Sequence, residues 1–111
     1  MMQYRRLISL IFPLSLTTGA HALDNLTWPT TVDEAVRDLV STLSVADKLE
    51  IKWTAKENII SLYSVWGLRI RNRYGLWRGN DKLILSACGG PCHPDDASMR
   101  IIEAMWRELR K

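Results

Sequence analysis

Histidine and cysteine are scarce in this chain, whose 111 residues include only two of each. Metal centres and nucleophilic triads depend on several such side chains brought together. The sequence also has no G-x-S-x-G, H-E-x-x-H or glycine-rich phosphate-binding pattern. A hydrolase with paired carboxylates stays open, because its two acids need not be neighbours in the sequence. We therefore predict no catalytic residue, no metal ligand and no cofactor, and do not expect an enzyme.

The chain also lacks a hydrophobic run of the roughly 20 residues that cross a membrane as a helix. Its apolar stretch, residues 7–16, has half that length and contains Pro13. It follows Arg5 and Arg6 and precedes A-H-A at residues 20–22, which is the order of a cleavable secretory signal peptide. Cleavage after Ala22 leaves residues 23–111 as a single domain in the periplasm, or secreted, without stable membrane insertion.

The exported chain carries little excess charge. The full sequence has a net charge of +3, and loss of Arg5 and Arg6 lowers it to +1, with 13 basic and 12 acidic residues. Domains that bind nucleic acid usually need a strongly basic surface, so nucleic acid is not an expected partner. The charge is instead divided along the chain, with an acidic excess in residues 33–50 and a basic excess in residues 69–82.

Apolar residues recur at helical spacing through most of the mature chain. The spacing predicts helices over residues 32–43, 45–53 and 56–73, and a last helix that begins at Asp95 and Asp96. Residues 82–87 fit either a short helix or a short strand. The prediction is an all-α single domain of four to five helices, packed as a bundle or an orthogonal array.

Capping residues set the predicted ends of these helices. The pairs Thr31–Glu34 and Ser44–Asp47 form capping patterns for the first two helices. Gly75 suits the end of the third, and Asn80 or Asp81 can cap the short segment. Asp95 and Asp96 can cap the last helix and favour its dipole. In the second helix the stripe Val45, Ala46, Leu49 and Trp53 is expected to face the core. Gly67 in the third helix is expected to admit a neighbouring helix.

The two cysteines lie close together in the segment C-G-G-P-C-H, residues 88–93. In an oxidising compartment Cys88 and Cys92 are expected to form a disulfide. Three other functions use the same residues. A thiol oxidoreductase would need C-x-x-C, a c-type haem site would use His93 with Met99 or Met105 as axial ligands, and a zinc site would add an aspartate.

Basic and aromatic residues alternate in the segment that precedes the cysteines. Arg69, Arg73, Trp77 and Arg78 are predicted to form a patch that binds an acidic protein partner, since arginine and aromatic residues often anchor interfaces. Trp77 follows glycine in a turn and is the tryptophan most expected to be exposed.

Arg71 and Asn72 have a predicted structural role. They are expected to hydrogen-bond to the turn at Asp95 and Asp96 and so tie the third helix to the last. On this hypothesis Arg71→Ala destabilises the protein more than Arg73→Ala, because only Arg71 joins two helices.

The block G-L-R-I-R-N-R-Y-G-L-W-R-G-N at residues 67–80 and the segment P-D-D-A-S at residues 94–98 resemble an uncharacterised family of small bacterial domains. Its pattern is G-x-x-I-R-N-x-x-G-L-W-x-x-N, followed by a last helix that opens with P-D-D-A-S. The resemblance extends from about Trp28 to Leu109. The resemblance implies a shared compact fold and no established activity. It also implies that the segment C-G-G-P-C, residues 88–92, is an insertion of this sequence and not part of the family pattern.

Together these features predict an exported protein-binding module, such as an inhibitor or an immunity-type protein that guards against an envelope-directed toxin. An envelope structural or stress-related accessory domain is the first alternative. A haem or thiol redox carrier that uses Cys88, Cys92 and His93 is the second.

Overall fold

The computed structural model describes residues 27–111, and the predicted signal peptide, residues 1–22, lies outside that part. Within residues 27–111 the chain forms five α-helices and one 3₁₀ turn, with no strand. The helices are α1 (Val32–Thr42), α2 (Val45–Lys52), α3 (Ile60–Arg73), α4 (Asp81–Cys88) and α5 (Pro94–Leu109), and the 3₁₀ turn is Lys56–Asn58. The all-α prediction is confirmed.

The last helix forms the centre of the domain, because α5 packs against each of the other four helices. Its residues Ile101, Ile102 and Met105 are fully buried. They meet Leu39 of α1 and Ile70 of α3 in a single hydrophobic core. Each such side chain contributes roughly 1.5–3 kcal/mol when it is removed from water, so the packing around α5 supplies much of the stability. None of the helices in residues 27–111 is both long and apolar enough to cross a bilayer.

The first two helices begin where their capping residues predict. The Thr31 hydroxyl accepts a hydrogen bond from the Glu34 amide at 3.2 Å, and the Ser44 hydroxyl accepts one from the Asp47 amide at 3.0 Å. The Glu34 carboxylate in turn accepts a bond from the Thr30 amide at 3.0 Å. These bonds satisfy backbone donors that have no partner inside the helix.

Three local predictions need correction. The third predicted helix opens with the 3₁₀ turn and becomes α-helical only at Ile60. The strand alternative for residues 82–87 is wrong, because this segment lies in α4 with Asn80 as its N-cap. The last helix starts at Pro94, and its N-cap is His93, whose ring Nδ1 accepts a bond from the Asp95 amide at 3.0 Å. Asp95 and Asp96 occupy the first turn, where their charge suits the helix dipole.

Gly67 does not admit a neighbouring helix. A Cβ atom at this position would lie 2.9 Å from the Arg71 Nη1 atom and 3.0 Å from the Tyr63 ring, and both of these side chains belong to α3 itself. The glycine instead gives the Arg71 guanidinium room to cross its own helix and reach the Tyr63 hydroxyl at 3.0 Å.

Candidate functional site

The end of α3 is fixed by a glycine in the left-handed conformation. Gly75 has φ +66°, and the Leu76 amide donates to the Arg71 carbonyl at 3.1 Å, as in a Schellman motif. The ring of the buried Trp28 packs directly on Gly75, since a Cβ atom there would lie 2.3 Å from the indole. The segment before α1 is thereby held against the α3–α4 turn.

Asn80 fixes the other side of this turn. Its Nδ2 group donates to the carbonyl oxygens of Tyr74 at 2.8 Å and Pro29 at 3.0 Å, while its Oδ1 atom accepts a bond from the Leu83 amide at 3.4 Å. The side chain is buried. One asparagine therefore joins the end of α3, the segment before α1 and the start of α4. The sequence predicted only that Asn80 or Asp81 would cap the short segment.

Arg71 connects α3 to the start of α5. Its Nε atom lies 3.4 Å from an Asp95 carboxylate oxygen, and its Nη1 atom donates to the Ser98 hydroxyl at 3.4 Å. Asn72 does not share this role, because it is exposed and contributes its backbone carbonyl to Arg78 at 3.1 Å. Asp96 is also exposed. Of the four residues predicted to make this contact, Arg71 and Asp95 do so, and Arg71 also reaches Ser98.

Arg73 is not a free member of the predicted patch. Its Nε atom donates to a carboxylate oxygen of Asp38 in α1 at 2.8 Å, and the same oxygen accepts a bond from the Tyr74 hydroxyl at 2.6 Å. Arg73 therefore joins α3 to α1, as Arg71 joins α3 to α5. The expectation that only Arg71 bridges two helices is wrong, and so is the reason given for ranking the two alanine variants.

The Asp38 carboxylate is held in its charged form by these contacts. The hydrogen bond from Arg73 lowers the pKa of Asp38 below its ordinary value, and the bond from Tyr74 acts in the same direction. Burial raises the pKa of Tyr74, and its bond to Asp38 raises it further, so the hydroxyl stays protonated and donates. Because a lowered pKa in the folded state means that the carboxylate binds a proton more weakly, folding favours its ionised form.

We expect Asp38→Asn to lower the free energy of unfolding by about 1 kcal/mol at pH 6, an amount limited by the partial exposure of the pair. The difference from the wild type should shrink below about pH 4, where the unfolded carboxyl group begins to bind a proton. Urea unfolding of both proteins between pH 2.5 and 6 measures this. A difference that stays constant over that range would mean that the charge of Asp38 contributes nothing.

The remaining residues of the predicted patch are exposed, Trp77 and Arg78 in the α3–α4 turn and Arg69 on α3. Trp77 is 58% exposed, and its ring meets the His93 ring edge-on, with centroids 5.0 Å apart. The Arg78 guanidinium lies over the Trp28 ring at 5.1 Å, and that of Arg69 lies over the Trp66 ring at 4.9 Å. Neither arginine has a carboxylate within ion-pair distance among residues 27–111.

Cys88 and Cys92 form a disulfide that closes the loop between α4 and α5. In this state neither sulfur is a thiol, and neither can bind zinc or carry a thioether link to haem. Met105 is fully buried, and α5 places it about 16 Å along the helix from the end next to His93. It therefore cannot share an iron ion with His93, and no cluster of metal-binding side chains occurs within residues 27–111.

The prediction of which side of α2 faces the core is wrong. Val45, Leu49 and Trp53 are at least half exposed, and Ile51 is the buried residue of α2. In α3 the sequence reasoning overlooked Ile60, Val65 and Leu68, which are exposed on the side away from the core. The signal was available in the sequence, because no charged residue occurs between Asn58 and Leu68.

Comparison with known proteins adds a family but no activity. No curated protein and no solved structure gives a significant match to this chain. A model of one protein family matches residues 28–109, which cover the five helices and the α3–α4 turn. The prediction of an uncharacterised domain family is thus confirmed: the chain belongs to the family described as domain of unknown function DUF6794.

Proposed function

We propose that this protein is an exported module that binds an acidic protein partner in the cell envelope through Trp77 and Arg78, as an inhibitor or immunity-type protein would. The exposure of Trp77 carries the proposal. Tryptophan buries a large area on contact and is enriched among the residues that dominate binding energy. An indole that is more than half exposed on a fixed turn is suited to that role.

The backbone on both sides of Trp77 supports the proposal. Gly75 packs against Trp28 before it, and Asn80 makes three hydrogen bonds after it. Binding through a segment that is already ordered avoids much of the entropy cost of association. Trp77 can therefore bind a partner with little loss of backbone entropy in this turn.

The charge beside Trp77 supports an acidic partner. Arg78 donates one bond to a backbone carbonyl and packs on an aromatic ring, so its charge is not neutralised by a carboxylate of residues 27–111. Guanidinium groups bind carboxylates in a bidentate geometry. The order of basic, apolar and small residues in the leader supports an extracytoplasmic location.

We expect residues 23–111 carrying an affinity tag to retain a specific protein from the envelope extract of the source cell, and Trp77→Ser to reduce that retention at least tenfold. Trp53→Ser is the matched control, because Trp53 is 71% exposed and is the C-cap residue of α2. This end of α2 contacts the C-terminal part of α5, where Arg110 donates to the Lys52 carbonyl at 2.8 Å. Quantitative mass spectrometry of the eluates compares the three proteins.

Equal retention of the same proteins by the wild type and by Trp77→Ser would overturn the assignment of the site. Retention lost equally in both tryptophan variants would show that general surface hydrophobicity is responsible.

A further inference from the structure

Residues 88–93, which we call the cysteine loop, are held by few contacts of their own backbone. The helices on both sides are anchored in the core, where Leu83 of α4 and Ala97 of α5 are fully buried. Between them, no amide of residues 90–93 donates a backbone hydrogen bond within residues 27–111. Two of the loop residues are glycines, which have the greatest backbone freedom. The disulfide is therefore the main constraint on the cysteine loop.

The cysteine loop places His93 at the start of α5, where its ring makes two contacts. The Nδ1 atom accepts the bond from the Asp95 amide at 3.0 Å, and the ring meets the Trp77 ring edge-on at 5.0 Å. The Trp77 side chain is 58% exposed, and His93 is its one aromatic neighbour within residues 27–111. His93 is thus a positioning residue that limits the rotation of the indole. Because His93 directly follows Cys92, the disulfide fixes the backbone from which this ring projects.

The two cysteines are partly buried, and each lines an open cleft on the surface. Cys92 and Leu85 line a cleft of about 440 Å³, and Cys88 and Arg100 line a second cleft of about 520 Å³. A thiolate can therefore approach the disulfide from solvent. Disulfides that solvent reaches are among those most readily reduced.

We propose that the disulfide of the cysteine loop controls the binding site at Trp77. While the bond is intact, His93 holds the indole in place. A dithiol reduces the bond by exchange: one of its thiolates attacks a sulfur of the pair, and its second thiolate then releases that sulfur. Cys88 and Cys92 become thiols with the two protons of the dithiol, which itself becomes a disulfide. The loop is then free to move, and Trp77 loses its support.

Reduction should act on the cysteine loop and leave the helices folded. The disulfide joins residues only four positions apart, and the stability that a disulfide gives by constraining the unfolded chain decreases as the closed loop becomes shorter. When the bond is broken, α4 keeps Asn80 as its N-cap and its packing against α5. The effect on partner binding rests on the proposed function, whereas the effect on the order of Trp77 does not.

The order of Trp77 is measured without a partner, by NMR of ¹⁵N-labelled residues 23–111. The five tryptophans each give one indole N–H signal, and Trp77→Phe identifies that of Trp77. We expect dithiothreitol to shift the Trp77 signal and to reduce its heteronuclear NOE, because the indole becomes mobile. The signals of the buried Trp28 and Trp66 should stay in place.

Two variants separate the disulfide from the histidine. The double variant Cys88→Ser, Cys92→Ser should give the reduced spectrum with and without dithiothreitol. His93→Ala should make Trp77 mobile while the disulfide remains intact. A Trp77 signal that reduction leaves unchanged overturns the proposal. So does a loss of dispersion in all five indole signals, since the disulfide would then hold the whole fold.

Retention from the envelope extract tests the effect on binding. We expect the serine double variant and His93→Ala each to retain several-fold less of the partner than the oxidised wild type does. Equal retention by the serine double variant would overturn the control of binding by the disulfide. An oxidised wild type that retains no protein overturns the proposed function and the effect on binding, while the NMR result still decides whether the disulfide orders Trp77.

Discussion

Gly75→Ala should lower the free energy of unfolding by about 3 kcal/mol, the largest effect of any single methyl group that we expect in this chain. A residue other than glycine at φ +66° costs about 1–2 kcal/mol. The added Cβ atom would also overlap the Trp28 ring, which forces local rearrangement at a typical cost of about 1–3 kcal/mol. For a domain of this size, the midpoint of thermal unfolding should decrease by about 15 °C.

Gly89→Ala separates the two causes. Gly89 ends α4 with φ +74°, close to that of Gly75, but a Cβ atom there would have no neighbour within 4 Å. Only the backbone cost applies, so we expect a loss of about 1 kcal/mol. Urea unfolding of both variants measures the difference. If the two variants lose equal stability, the packing of Trp28 on Gly75 is not an important constraint.

Asn80→Ala should have the second largest effect, also about 3 kcal/mol. Loss of the N-cap of α4 costs about 1 kcal/mol. The substitution also removes the donor that serves the Tyr74 and Pro29 carbonyl groups, and an unsatisfied buried acceptor costs about 1–3 kcal/mol. Asn72→Ala is the control, since Asn72 is exposed, and it should change stability by less than about 0.5 kcal/mol.

Asn80→Asp tests the donor role alone. The carboxylate can still accept the bond from the Leu83 amide, but it cannot donate, and its charge would face two carbonyl oxygens. Its pKa in the folded state should therefore rise, so the variant should be strongly destabilised at pH 7 and recover part of its stability below about pH 5. A variant as stable as the wild type at pH 7 would contradict the hydrogen-bond assignment at Asn80.

The sequence predicts the helices well because capping and periodicity are local properties. Thr31 and Ser44 cap α1 and α2 as their spacing indicates. The cap of α5 was missed because a histidine that accepts a bond through Nδ1 is not a usual N-cap residue. The orientation of α2 was predicted wrongly, since a short helix has too few turns to decide which of two apolar sides faces the core.

The candidate site was only partly predictable, because ion pairs between distant residues leave no pattern in the sequence. Arg73 looked available for a partner, yet it binds Asp38, 35 positions earlier. The exposure of Trp77 was predicted from the glycine turn around it and is found. The three bonds of Asn80 were not predicted, since they depend on the approach of Pro29, 51 positions away.

The central claim is that Trp77 contacts an acidic protein outside the cytoplasm. The most direct measurement places a photo-reactive phenylalanine analogue at position 77 of the full chain in the source cell, with position 53 as the control. We expect irradiation to give one discrete adduct in the envelope fraction. The adduct should contain the chain that lacks residues 1–22, and it should not form when the analogue is placed at position 53. No adduct at position 77, or equal adducts at both positions, would contradict the account.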